Sequence, residues 1–106
     1  MTRVFWKRKL LPWLEPNEEL NKLGGDSYGL KGKLKVCFWF EGGLKITGNQ
    51  KSLSLNLKDP DLLVLSTLVG EVLRIYRIPY SRLVCFELIR GSGESGEIPE
   101  MKFFRN

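Results

Sequence analysis

From residue 30 onward the chain alternates. Leu30, Leu34, Val36, Phe38 and Phe40 fall on one parity and Lys31, Lys33, Lys35, Cys37 and Trp39 on the other. That period of two predicts a strand with one apolar face. Glu41-Gly42-Gly43 supplies the glycines that tolerate positive φ, and Leu44 to Gly48 resumes the alternation, so a hairpin is expected here. Leu53, Leu55 and Leu57 then alternate with Ser52, Ser54, Asn56 and Lys58 until Lys58-Asp59-Pro60-Asp61 breaks the pattern. Leu62 to Thr67 and Val72 to Ile78 read as two further strands around a turn at Val69-Gly70-Glu71, and Pro79-Tyr80-Ser81 punctuates again. Arg82 to Arg90 predicts a strand with Val84, Phe86 and Leu88 on one face and Leu83, Cys85, Glu87 and Ile89 on the other. Residues 91–97, rich in Gly, Ser and Glu, have the composition of a solvated loop, and Ile98 to Phe104 adds a last strand.

Ahead of the strands, Pro16 to Leu23 carries acids first, a lysine late and then Gly24-Gly25, the charge order of a short helix with a glycine stop. Residues 1–14 form a basic-aromatic arm, and residues 15–106 read as one domain. Five or six short strands after one short helix predict a mostly β fold, a small antiparallel β-barrel with an amino-terminal helix.

Composition narrows the function. At 106 residues and 42% hydrophobic content one core is expected. The formal charge of +5 and pI near 9.4 favour polyanionic partners. There is no histidine, the side chain most used for acid-base work near neutrality and the commonest metal ligand. The acids fall mainly in turns, and Cys37 and Cys85 stand in apolar strands without a CxxC or neighbouring base, as structural thiols do. No phosphate-binding glycine loop occurs with a strand before it and a helix after it. The expectation is a protein that is not an enzyme and needs no metal or cofactor. With no signal-peptide core and no apolar run of membrane-spanning length, it is expected to be cytoplasmic.

Two features could bind. Lys31, Lys33 and Lys35 share a strand face with Trp39 at roughly 7 Å steps, which suits successive phosphates and a stacked base, and Arg90 adds charge later. The same lysines would equally guard an edge strand against aggregation. In the arm, Phe5, Trp6, Lys7, Arg8, Lys9 and Trp13 mix cations with aromatics. Such an arm suits RNA, an anionic membrane or a second subunit, and packing is favoured because so much apolar surface is costly to expose. The leading expectation is an oligomeric RNA-binding protein. Its rivals are a protein-interaction module using the arm and an apolar sheet edge, and a domain that binds anionic lipid.

The stretch Val36 to Leu65, with VCFWF, the turn EGG, LKITG and DPDLLVL, resembles the first motif of the Sm-like family, and Ile89-Arg90-Gly91 is similar to its second. That resemblance implies a five-stranded barrel that assembles into a ring and binds RNA. Ile78-Pro79-Tyr80-Ser81-Arg82-Leu83 followed by VCFELIRGSG also resembles bacterial PH-like domains, which implies a curved antiparallel sheet with a lipid or protein partner.

Overall fold

The structure, a computed structural model, describes residues 7–17 and 26–89 together with the backbone of 101–104. Residues 7–10 are helical and run into a 3-10 turn, Leu11–Trp13, with Pro12 in its first turn, where the missing N–H costs nothing. Nine strands follow among the described residues: β1 (Leu14–Pro16), β2 (Ser27–Leu30), β3 (Lys35–Phe40), β4 (Lys45–Asn49), β5 (Leu53–Asn56), β6 (Leu62–Val69), β7 (Val72–Pro79), β8 (Leu83–Ile89) and β9 (Met101–Phe104). All pairs are antiparallel, and among the described residues they make two sheets, ordered β1-β2-β5-β6-β7 and β4-β3-β8-β9.

Both sheets feed one core. Val36, Phe38, Phe40, Phe86 and Leu88 from the four-stranded sheet join Leu55, Leu63, Leu65 and Ile78 from the other in a single buried cluster. Phe38 sits at its centre, with ring centroids 6.1 Å from Phe86 and 6.4 Å from Phe40. Leu10 and Leu14 belong to the same cluster and Trp13 packs against it, so the described part of the arm is built into the domain. The Lys7 ammonium lies 5.5 Å from the centre of the buried Tyr80 ring and ties the helical turn to the 3-10 turn Tyr80–Arg82.

The corners of the chain rest on local chemistry, and the one between β4 and β5 carries it from one sheet to the other. Gly42 and Gly43, at φ 89° and 90°, make the β3–β4 turn as expected. After β4, the Asn49 carboxamide oxygen accepts the Lys51 and Ser52 N–H groups at 3.0 and 3.1 Å, while the Ser52 hydroxyl oxygen accepts the Asn49 N–H at 3.0 Å. Just before that corner Gly48 lies so close to the Leu53 side chain that no Cβ fits. The Asp59 carboxylate accepts the Asp61 and Leu62 N–H groups at 2.7 and 3.0 Å and starts β6.

Several expectations are corrected. The helix expected over 16–23 begins in what is a strand, because Pro16 pairs with Tyr28; residues 18–25 lie outside the described residues. The helical turn lies upstream, at 7–13. The first long strand starts at Lys35, since Leu30 ends β2 and residues 31–34 cross between sheets. On β8 the register moves from Trp39↔Cys85 to Phe40↔Leu83, which leaves Val84 as an extra residue. That bulge turns Leu83 into the core beside Phe86 and Leu88 and leaves Val84 half-buried. Arg90, the loop at 91–97 and residues 98–100 fall outside the described residues.

Candidate functional site

The β6–β7 hairpin is where the surface departs from what water favours. Val69-Gly70-Glu71-Val72 closes it with φ 63° at Gly70 and no positive φ at Glu71, the pattern of a type II′ turn, which needs glycine first and suits the twist of the strands. The registers Val69↔Val72, Leu68↔Leu73, Thr67↔Arg74 and Ser66↔Ile75 follow. At the far end Leu63 and Ile78 are buried, but toward the turn the hairpin outruns the core. Leu68 is 45% exposed, Val69 74%, Val72 55%, Leu73 62% and Ile75 47%. Strand alternation puts Leu68, Leu73 and Ile75 on the outer face of the sheet and Val69 and Val72 on the other, so both faces of the tip are apolar. The tip therefore gathers exposed aliphatic side chains whose contact with water is unfavourable until something covers them.

The backbone of β7 is as telling as its side chains. In a two-residue hairpin the closing pair is hydrogen-bonded, and hydrogen-bonded and open pairs then alternate. The Tyr80 N–H donates to the Asp61 carbonyl at 3.4 Å, in phase with Val69↔Val72. The N–H and C=O groups of Val72, Arg74, Tyr76 and Ile78 therefore turn toward β6. Those of Leu73, Ile75 and Arg77 turn outward, and among the described residues β7 has no strand on that side. Beside Leu73 and Ile75 the outer face holds a pocket of about 310 Å³, lined also by Ser54, Ser66, Gln50 and Lys51.

Two of the other three edge strands, β1 and β4, differ. β1 is three residues long and ends in Pro16, and β4 alternates exposed Lys45, Thr47 and Asn49 with buried neighbours. Both follow the ordinary defences of a sheet edge, namely shortness, proline and polar side chains. On β7 only Arg74 and Arg77 do so, and they lie on opposite faces.

The residues expected to bind polyanions are dispersed. Lys31 and Lys33 stand in the crossing segment and only Lys35 is on β3; all are exposed, and among the described residues none makes an ion pair. β3 is internal, flanked by β4 and β8, so Lys35 guards no edge. Cys37, between Lys35 and Trp39, is buried and accepts a hydrogen bond from the Thr47 hydroxyl at 3.3 Å. Trp39 is half exposed, with the Lys45 ammonium 4.6 Å from its ring centre. Arg82 is engaged elsewhere: its guanidinium donates to the Glu41 carbonyl at 3.0 Å and its own carbonyl accepts the Glu41 N–H at 2.8 Å, which pins the β3–β4 turn. In the arm Arg8 and Lys9 are exposed, Lys7 and Trp13 face the domain, and Phe5 and Trp6 lie outside the described residues.

Sequence reasoning passed over Leu68, Val69, Val72, Leu73 and Ile75, although the signal is there. Apolar residues stand on both parities around Gly70-Glu71, a pattern that by itself suits a strand covered on both faces, whereas among the described residues β7 is an edge. No helix among the described residues is long and apolar enough to cross a membrane. Comparison with family models, curated proteins and solved structures finds no match to this chain.

Proposed function

We propose that this chain is a non-catalytic protein-interaction module whose working surface is the β6–β7 hairpin, with the open edge of β7 accepting a strand from another polypeptide. The observation that carries this reading is the coincidence, on one hairpin, of five exposed aliphatic side chains and a backbone edge that no strand among the described residues pairs. Strand addition uses both at once, because main-chain hydrogen bonds supply affinity while alternate side chains select the partner. A photo-cross-linking amino acid at Leu73, compared with one at exposed Lys58 away from the hairpin, tests it in cells. Polypeptide adducts from position 73 and few from position 58 are expected. Equal yields, or none from position 73, would overturn the reading.

A second reading keeps the polyanion partner. The exposed Lys31, Lys33 and Lys35, free of ion pairs among the described residues, and the half-exposed Trp39 favour it. In that reading the two sheets form the small barrel that the Sm-like resemblance implies, and single-stranded RNA is held by phosphate attraction and base stacking. Replacing the three lysines with glutamine should then flatten the slope of log affinity against log salt by about 2. Absence of RNA binding by the unsubstituted chain at low salt removes this reading.

A further inference from the structure

We infer that the strand received by β7 is β7 of a second copy of this chain, laid antiparallel about a two-fold axis that passes through Ile75. The inference rests on the reading of the hairpin as a protein-binding edge and adds the identity of the partner.

The backbone restricts the ways in which β7 can meet itself. Outward-facing groups belong to Leu73, Ile75 and Arg77, and paired strands must set such residues opposite one another. An axis at Ile75 pairs Ile75 with the partner's Ile75, and Leu73 with the partner's Arg77, so the outward N–H and C=O groups of all three are used, and Pro79 falls beyond them opposite the turn residue Glu71. An axis between two residues would set outward groups against inward ones. With the axis at Tyr76, Leu73 would face the partner's Pro79, which has no N–H to give. With the axis at Arg74, Glu71 would meet the partner's Arg77, but Arg74 would lie against its own copy in the open pair, where side chains come closest.

Side chains favour the same register. On the outer face Ile75 meets its equivalent, with Leu73 diagonal to it, and the stripe Leu68, Leu73 and Ile75 is continued by the partner's stripe. On the other face Arg74 lies across from the partner's Tyr76, a cation against an aromatic ring, and Val72 across from the partner's Ile78. No like charges are directly opposed. The two five-stranded sheets become one continuous sheet, and the long undefended edge is lost to solvent.

Light scattering on the purified full chain should give twice the chain mass of 12.2 kDa. Ile75→Lys should halve that mass while circular dichroism and thermal unfolding stay those of a folded chain. Leu73→Lys, at a more exposed position, serves if the first variant does not fold. Under mild oxidation Ile75→Cys should form a covalent dimer, Arg74→Cys far less, and the unsubstituted chain none. A monomeric unsubstituted chain at all concentrations, a dimer that survives both lysine variants, or better cross-linking at position 74 than at 75 would each overturn the proposal. If the chain is monomeric yet Leu73 adducts form with other polypeptides, the second-copy inference fails and the hairpin reading stands. If it is monomeric, gives no polypeptide adducts and co-sediments with acidic phospholipid vesicles, both fail.

Discussion

Gly48 shows how much a single residue decides in this fold. Its missing side chain lets the chain turn from one sheet into the other against Leu53, and a Cβ would have to displace that buried leucine. Gly48→Ala should cost about 1–3 kcal/mol, read from denaturant unfolding, by overpacking this corner. Phe38→Ala, at the centre of the core, should cost about 3–5 kcal/mol. The alternation of Val36, Phe38 and Phe40 and the glycines at 42 and 43 made the core face and the first turn legible. The bulge at Val84 was not, because an extra residue is set by how β8 packs against β3 and leaves no mark in polarity. Lys31, Lys33 and Lys35 share a parity, yet the strand starts only at the last of them, so a shared parity did not make a shared face.

At the scale of elements the hairpin can be separated from the stability of the domain. Leu73 and Val69 are largely exposed, so Leu73→Lys or Val69→Ser should leave the unfolding free energy of the isolated chain within about 0.5 kcal/mol, as surface changes do. Gly70 differs, since its φ of 63° is one a β-branched residue adopts only with strain. Gly70→Val should destabilise the chain by about 1–2 kcal/mol and loosen the tip. β3 and β4 were readable because their periods are clean, and β6 and β7 because turn signals bound their apolar runs. β1 and β2 were not, because three or four residues are too few to display a period, and the run around Pro16 offered helix signals that pairing with Tyr28 overrode. The candidate surface was hidden for a related reason: sequence shows that β7 is apolar on both sides but not that β7 stands last in its sheet among the described residues.

For the whole molecule, charge discriminates between the two kinds of partner. Each chain carries a formal +5, so two copies repel one another, and salt screens that repulsion over about 10 Å at 0.1 M. Self-association through β7 should therefore tighten as salt rises, whereas a complex held by phosphates should weaken. Sedimentation across a salt series checks the sign. The mostly β class was legible because the alternation runs through most of the chain, while the division into two sheets depends on which strands pair across long loops. The claim that a second β7 lies along the open edge is tested most directly by amide hydrogen exchange at Leu73, Ile75 and Arg77 over a concentration series. Those amides should be protected in concentrated samples, like those of Val72 and Arg74, and should lose protection on dilution or in Ile75→Lys. Fast exchange at all three positions at every concentration would contradict it.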